Sequence, residues 1–182
     1  MPLRPVRIYG DPVLREKARE VLAFDDSLRQ LVADLYDTMA AYQGVGLAAN
    51  QVGVAQRVFV VDVPREDGTR DRFAAVNPVL DQRSGKAKGE EGCLSMPGIL
   101  ADVDRATHVR LRAFDEHGQP FERVVTEFLA RAVLHETDHL DGVLFTDRLG
   151  PLKRQFLRRE LDALARGEVP SGYHPERGEG AI

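Results

Sequence analysis

Apolar residues recur along the chain with two different periods, and the change of period marks the elements. From Ser27 onward Leu28, Leu31, Val32, Leu35, Tyr36, Met39 and Ala40 return at helical spacing. This predicts a helix that starts behind a capping pair, Ser27 and Gln30, and stops at Gly44. Residues 57–63 form a β-branched run closed by Pro64, and residues 73–80 a weaker one. Residues 81–92 are polar and predict a loop. Thr107–Phe114 then alternates Val109, Leu111 and Ala113 against His108, Arg110 and Arg112, and a turn at 116–119 leads into 121–126, a hairpin. Thr126 is placed to cap a helix running through Leu140, with Leu129, Ala132, Val133 and Glu136 on one stripe. A last helix is expected over 152–166, and Asp11-Pro12 predicts a turn before a short helical stretch at 13–21.

Strands followed by a helix rich in functional groups point to an α+β fold, not a wound parallel sheet. The expected architecture is a set of antiparallel strands packed around the helix at 127–140, plus a C-terminal helix. No linker or repeat divides residues 1–166, so they read as one domain, with 167–182 as a mobile tail.

Composition narrows the classes. The chain has 182 residues, 43% hydrophobic and 30% charged, enough for a sizeable core. Its net charge of −4 speaks against a dedicated DNA-binding domain. No apolar run approaches the roughly 20 residues that cross a bilayer, and the first residues lack the apolar segment of a secretory signal. One cysteine makes no disulfide framework, which suits a reducing cytoplasm.

Three short segments carry chemistry. His135-Glu136-Thr137-Asp138-His139 is an H-E-x-x-H on a predicted helix, so both imidazoles project from one face toward one metal ion with Glu136 beside it as a base. A catalytic site needs a third ligand and an open position. The extended form of the motif requires a His at 145, where the chain has Phe145. Glu160 on the last helix and Cys93 in Glu91-Gly92-Cys93-Leu94-Ser95 remain, and the polar, glycine-flanked loop favours Cys93 without excluding Glu160. The third segment is Gly44-Val45-Gly46-Leu47-Ala48-Ala49-Asn50-Gln51. Its glycines follow a helix, not a strand, so a dinucleotide fingerprint is excluded. A tight loop forming a backbone wall for an extended substrate fits better, with Gln51 offering an amide donor.

Together the three segments resemble peptide deformylase. The resemblance extends to 10–15 (G-D-P-V-L-R), to Val103-Asp104-Arg105 and to 139–145 (H-L-D-G-V-L-F), covering nearly the whole chain. It implies hydrolysis of the formyl group from N-formylmethionyl peptides, releasing formate. Cys93, His135 and His139 are then the ligands of one divalent ion, usually ferrous iron in the family, with nickel or zinc able to take its place. Glu136 is implied as proton carrier, and the Gln51 amide and Leu94 backbone N–H as oxyanion donors. Substrate would lie along Gly44, Val45 and Gly46, with the methionine side chain among Val45, Leu94, Phe128, Ala132 and His135. Asn50 and Leu134 depart from the usual Pro and Gln of the family. Glu91 is expected to pair with Arg105 and brace the Cys loop. Residues 153–166 carry a surplus of three positive charges, which would suit a ribosome contact through the C-terminal helix. A monomer in the cytoplasm, without DNA or membrane partners, is expected. The competing readings are an H-E-x-x-H peptidase with another third ligand, a binding module with a closed metal site, and a cysteine-nucleophile hydrolase.

Overall fold

The computed structural model of the chain describes residues 3–171 and Tyr173. Helix α1 spans Asp26–Ala41 and buries Leu28, Leu31, Val32, Leu35 and Met39. Its cap is Asp25, whose side chain accepts from the Leu28 N–H; Ser27 lies inside the helix and its hydroxyl donates to Asp25 at 2.7 Å. A carboxylate at the cap also complements the positive end of the helix dipole.

Five antiparallel strands follow: β1 (Gly46–Ala48), β2 (Val58–Pro64), β3 (Arg70–Ser84), β6 (His108–Phe114) and β7 (Pro120–Thr126), in the order β1-β2-β3-β6-β7. The unbroken apolar run of β2 has a simple cause. Val58 and Val60 face α1, whereas Phe59, Val61 and Val63 pack with Ala132, Val133 and Leu140 of helix α2 (Glu127–Leu140). A strand covered on both faces needs apolar residues at both parities. The antiparallel strands are thus packed around the helix that carries the His-Glu motif.

Residues 81–92 correct the expected loop. β3 continues to Ser84, and β4 (Ala87–Glu91) pairs with β5 (Ala101–Arg105) in a two-stranded ribbon. In β4 only Glu91 is buried, so apolar alternation could not announce it. β3 bends twice where its register against β6 shifts, and Asn77 and Gln82 take left-handed backbone there. The Asn77 amide exchanges hydrogen bonds of 2.8 and 2.9 Å with the Val21 backbone. That fastening, with a bridge between Arg19 and Gln56, holds the segment after Pro12–Arg15 extended instead of helical.

The last predicted helix is two, α3 (Pro151–Phe156) and α4 (Arg158–Ala165), divided at Leu157. Leu164 is buried with Leu14, Cys93, Met96 and Phe145, and a Cβ on Gly10 would come within 2.7 Å of Ala165 Cα. α4 is therefore part of the core. Of the expected tail, Pro170 rests against Gly98 and Tyr173 packs on the α1 cluster, while 172 and 174–182 lie outside the described residues.

The cap assignment is testable by thermal denaturation. Asp25→Ala should lower the melting temperature by a few degrees and Ser27→Ala by less. The reverse order would return the cap to Ser27.

Candidate metal centre

Cys93, His135 and His139 converge from two bodies, the loop after β4 and the face of α2. One ligand atom from each lies within 4.8 Å of the others, and all three residues are buried. The Cys93 sulfur is 3.3 Å from His139 Nε2. One soft sulfur and two imidazoles suit zinc, iron or nickel, so the donor set fits a bound transition metal. Glu160 is exposed on α4 and takes no part. The structure thus brings together the Cys–His–His set and leaves the alternative third ligand outside.

Gln51 reaches the same point from a 3-10 turn at Ala49–Val52. Its carbonyl accepts the Ala48 N–H at 2.9 Å, which turns its NH2 toward Ser95 Oγ at 3.3 Å and the Cys93 sulfur at 3.5 Å. Asn50, beside it, is buried and donates to the Glu16 carbonyl at 3.1 Å, giving this departure from the usual Pro a use: it ties down the N-terminal segment. Leu134, the other departure, is buried in the α2 cluster.

Glu136 lies against β1. A Cβ on Gly46 would stand 2.5 Å from its Oε1 and 2.9 Å from its Cγ, so this glycine is required for space, not for conformation. Its Oε2 is buried without a hydrogen-bond partner among the described residues. Burial in a site with so few donors pushes the carboxyl up to about 7, against the opposing charge of His135. His139 is drawn well below the ordinary histidine range by burial and by the positive charges of His135 and Arg105, which keeps it a neutral ligand.

Of the residues expected to contact substrate, Gly44, Val45, Leu94 and Ala132 neighbour groups of this centre, and Phe128 lies in a cleft that contains none of them. Leu94 Cδ1 would be 3.1 Å from a Cβ on Gly44, Val45 is half-buried, and Ala132 is buried one turn before His135. Phe128 is 43% exposed and lines an open cleft with Val63, Val124 and Glu127.

Sequence reasoning found the Glu91–Arg105 pair, here two hydrogen bonds of 2.9 Å. It missed the rest of that network. The other partners of Glu91 are His135 Nδ1 at 2.9 Å and Arg131 at 2.7 Å; Asp138 takes Arg105 at 2.6 Å and Arg148 at 2.7 Å. Burial would raise Glu91, but the hydrogen bonds from His135 and Arg105 hold it at about 2. The available signal was Arg131, a charge four residues before His135 on the buried face of the helix.

A carboxyl raised in the folded state loses stability as pH climbs from its unfolded value through its folded one. In metal-free protein Glu136→Gln should therefore be stabilising at pH 8, by on the order of 3 kcal/mol for a folded value of about 7. The gain should fade toward pH 5. Urea unfolding at both pH values measures it, and a pH-independent difference would contradict the raised carboxyl.

The family model for polypeptide deformylase matches residues 3–155. The peptide deformylase of Alkalilimnicola ehrlichii is 48% identical over 173 residues, covering 94% of this chain and 97% of that one. That of Acidothermus cellulolyticus is 46% identical over 98% of this chain and 99% of its own. The crystal structure of peptide deformylase from Thermus thermophilus superposes with a TM-score of 0.85 at 41% identity, over 91% of this chain and 99% of that chain. The chain belongs to the peptide deformylase family, metal-dependent hydrolases that remove the N-terminal formyl group from new polypeptides.

Proposed function

We propose that Cys93, His135 and His139 hold one divalent ion, ferrous iron in the cell with nickel or zinc able to replace it, and that Glu136 carries the proton in deformylation. The observation behind this is the buried Cys–His–His set with an unpartnered carboxylate oxygen beside it. When bound, the metal supplies Lewis acidity that acidifies water and polarises a carbonyl. The protein's residues do the remainder. Glu136, its carboxylate buried beside the ligand set with one oxygen unpartnered, takes a proton from the attacking water and returns it to the departing amine. The Gln51 NH2 and the Leu94 backbone N–H stabilise the oxyanion; one such donor is worth roughly 3 kcal/mol.

β1 supports the placement of substrate. It is an edge strand of the sheet, and the bond from Asp62 N–H to the Val45 carbonyl directs residues 45 and 47 toward β2. Gly46 therefore turns its backbone groups to the open edge, where an extended peptide can add as a strand. The methionine side chain then enters beside Val45, Leu94, Ala132 and His135, with Phe128 at the outer rim. A single chain provides every ligand, consistent with a monomer. A buried cysteine outside any disulfide is consistent with the cytoplasm. No helix among the described residues is long and apolar enough to cross a membrane.

Formate release from a formyl-Met tripeptide by nickel-loaded protein tests the reading. Glu136→Ala should lose at least about 100-fold in kcat, the scale of general-base catalysis, while retaining one metal per chain. Gly46→Ala should lose turnover similarly by displacing that carboxylate. Full activity in Glu136→Ala would remove Glu136 as the proton carrier, and full activity in Gly46→Ala would remove the spatial requirement for the glycine.

The ribosome contact is carried by Lys153, Arg154 and Arg159, which are exposed and form no ion pair among the described residues, alongside exposed Leu152 and Phe156. Because α4 belongs to the core, charge reversal is a better probe than truncation. Arg154→Glu with Arg159→Glu should weaken co-sedimentation with ribosomes and leave tripeptide turnover unchanged; undiminished pelleting would reject the contact.

A further inference from the structure

We propose that Arg131 is a positioning residue for the metal centre: its guanidinium sets the spacing between the segment carrying Cys93 and the helix carrying His135 and His139. This rests on reading those three side chains as metal ligands. Arg131 is 8% exposed and sits one turn before His135 on α2. Its Nη1 donates to Glu91 Oε2 at 2.7 Å and the Val103 carbonyl at 2.8 Å, with the Gly89 carbonyl sharing a hydrogen at 3.3 Å; its Nη2 donates to the Ala87 carbonyl at 2.9 Å. These acceptors lie on both strands of the β4–β5 ribbon, and Gly89 and Val103 are direct register partners. Among the described residues, no other α2 side chain hydrogen-bonds to the ribbon's backbone.

Two features separate this from simple charge neutralisation. First, Arg105 already meets both oxygens of Glu91 with paired 2.9 Å bonds, so a second arginine is not needed to balance the anion. Arg131 directs most of its contacts to carbonyls instead. Second, the ribbon is shaped to receive it. A Cβ on Gly89 would lie 3.0 Å from the Arg131 Cζ, in a backbone conformation any residue could adopt, so the glycine is there to seat the guanidinium.

The consequence for the centre follows from connectivity. Cys93 is two residues beyond Glu91, and Glu91 Oε1 holds His135 Nδ1 at 2.9 Å. One carboxylate is thus tied to α2 at two points a helical turn apart, Arg131 and His135. The ribbon cannot slide along the helix without breaking one of them. Metal ligands tolerate little displacement, and altering the groups that orient them costs typically about 10–100-fold in affinity.

The experiment compares Arg131→Met, Arg131→Lys and Gly89→Ala with the unsubstituted metal-bound chain. Metal affinity is read by competition with a chelator, and ligand geometry by the sulfur-to-cobalt charge-transfer band of the cobalt form. Arg131→Met should bind nickel and cobalt about 10–100-fold more weakly and shift the cobalt band. Arg131→Lys should recover part of the loss, and Gly89→Ala should move both readouts in the same direction as Arg131→Met. A lowered melting temperature with unchanged affinity and an unchanged band would overturn the proposal. If Arg131→Met does not fold, Gly89→Ala decides by the same two readouts. Cys93→Ala separates the underlying reading: a cobalt band that survives it would mean Cys93 is no ligand, and the positioning role would fall with it.

Discussion

The site depends on one buried anion. Glu91 is 1% exposed, and an unpaired carboxylate at that depth would cost several kcal/mol. It accepts four hydrogen bonds, from His135, twice from Arg105 and from Arg131. Held at about 2, it is ionised and can only accept, so His135 Nδ1 must carry the proton of that contact. The other ring nitrogen is thereby the one turned to a metal.

From Glu91 the charges alternate outward. Arg131, Glu91, Arg105, Asp138 and Arg148 form a chain in which every neighbour has the opposite sign. It joins β4, β5, α2 and the 3-10 turn at Phe145–Arg148 around Cys93, whose apolar neighbours also come from the Pro12–Arg15 turn and α4. Such a chain contributes little as isolated surface pairs, but losing a member in the buried part strands a charge. Apolar packing brings these elements together; the ionic chain sets their relative placement.

What could be read from the sequence follows the same division. α1, β2, the β6–β7 hairpin and α2 each bury a face or both, so burial writes a period into the residues. The β4–β5 ribbon exposes one face, and its other face buries Val103 beside the charged Glu91 and Arg105, too few large apolar residues for a period to mark it. Cys93 was favoured by its unusual loop and separated from Glu160 only by the family resemblance; the two histidines were legible because they share a helix turn. The groups that orient them were not, since Glu91 meets Arg105 across 14 residues and Arg131 across 40, separations with no local signature. Gly46 and Gly89 were opaque for another reason: both make room for side chains from α2, and a sequence does not say what approaches a glycine.

Two glutamates in this centre have nearly identical intrinsic acidity and end up about five units apart, Glu91 at about 2 and Glu136 at about 7. Burial raises both; at Glu91 the hydrogen bonds and charges of His135 and Arg105 outweigh it, whereas at Glu136 burial prevails and the neighbouring Glu91 charge adds to it. Glu91 meets three cationic or hydrogen-bonding side chains, whereas Glu136 faces a glycine and keeps one oxygen unpartnered. A carboxylate as firmly ionised as Glu91 cannot cycle a proton near neutral pH, and one as weakly held as Glu136 cannot anchor an element. Divergent environments of this kind separate acid–base function from structural duty. The space over Gly46 is therefore as much a part of the proposed proton carrier as the carboxylate itself, because any side chain there would meet the carboxylate and its Cγ.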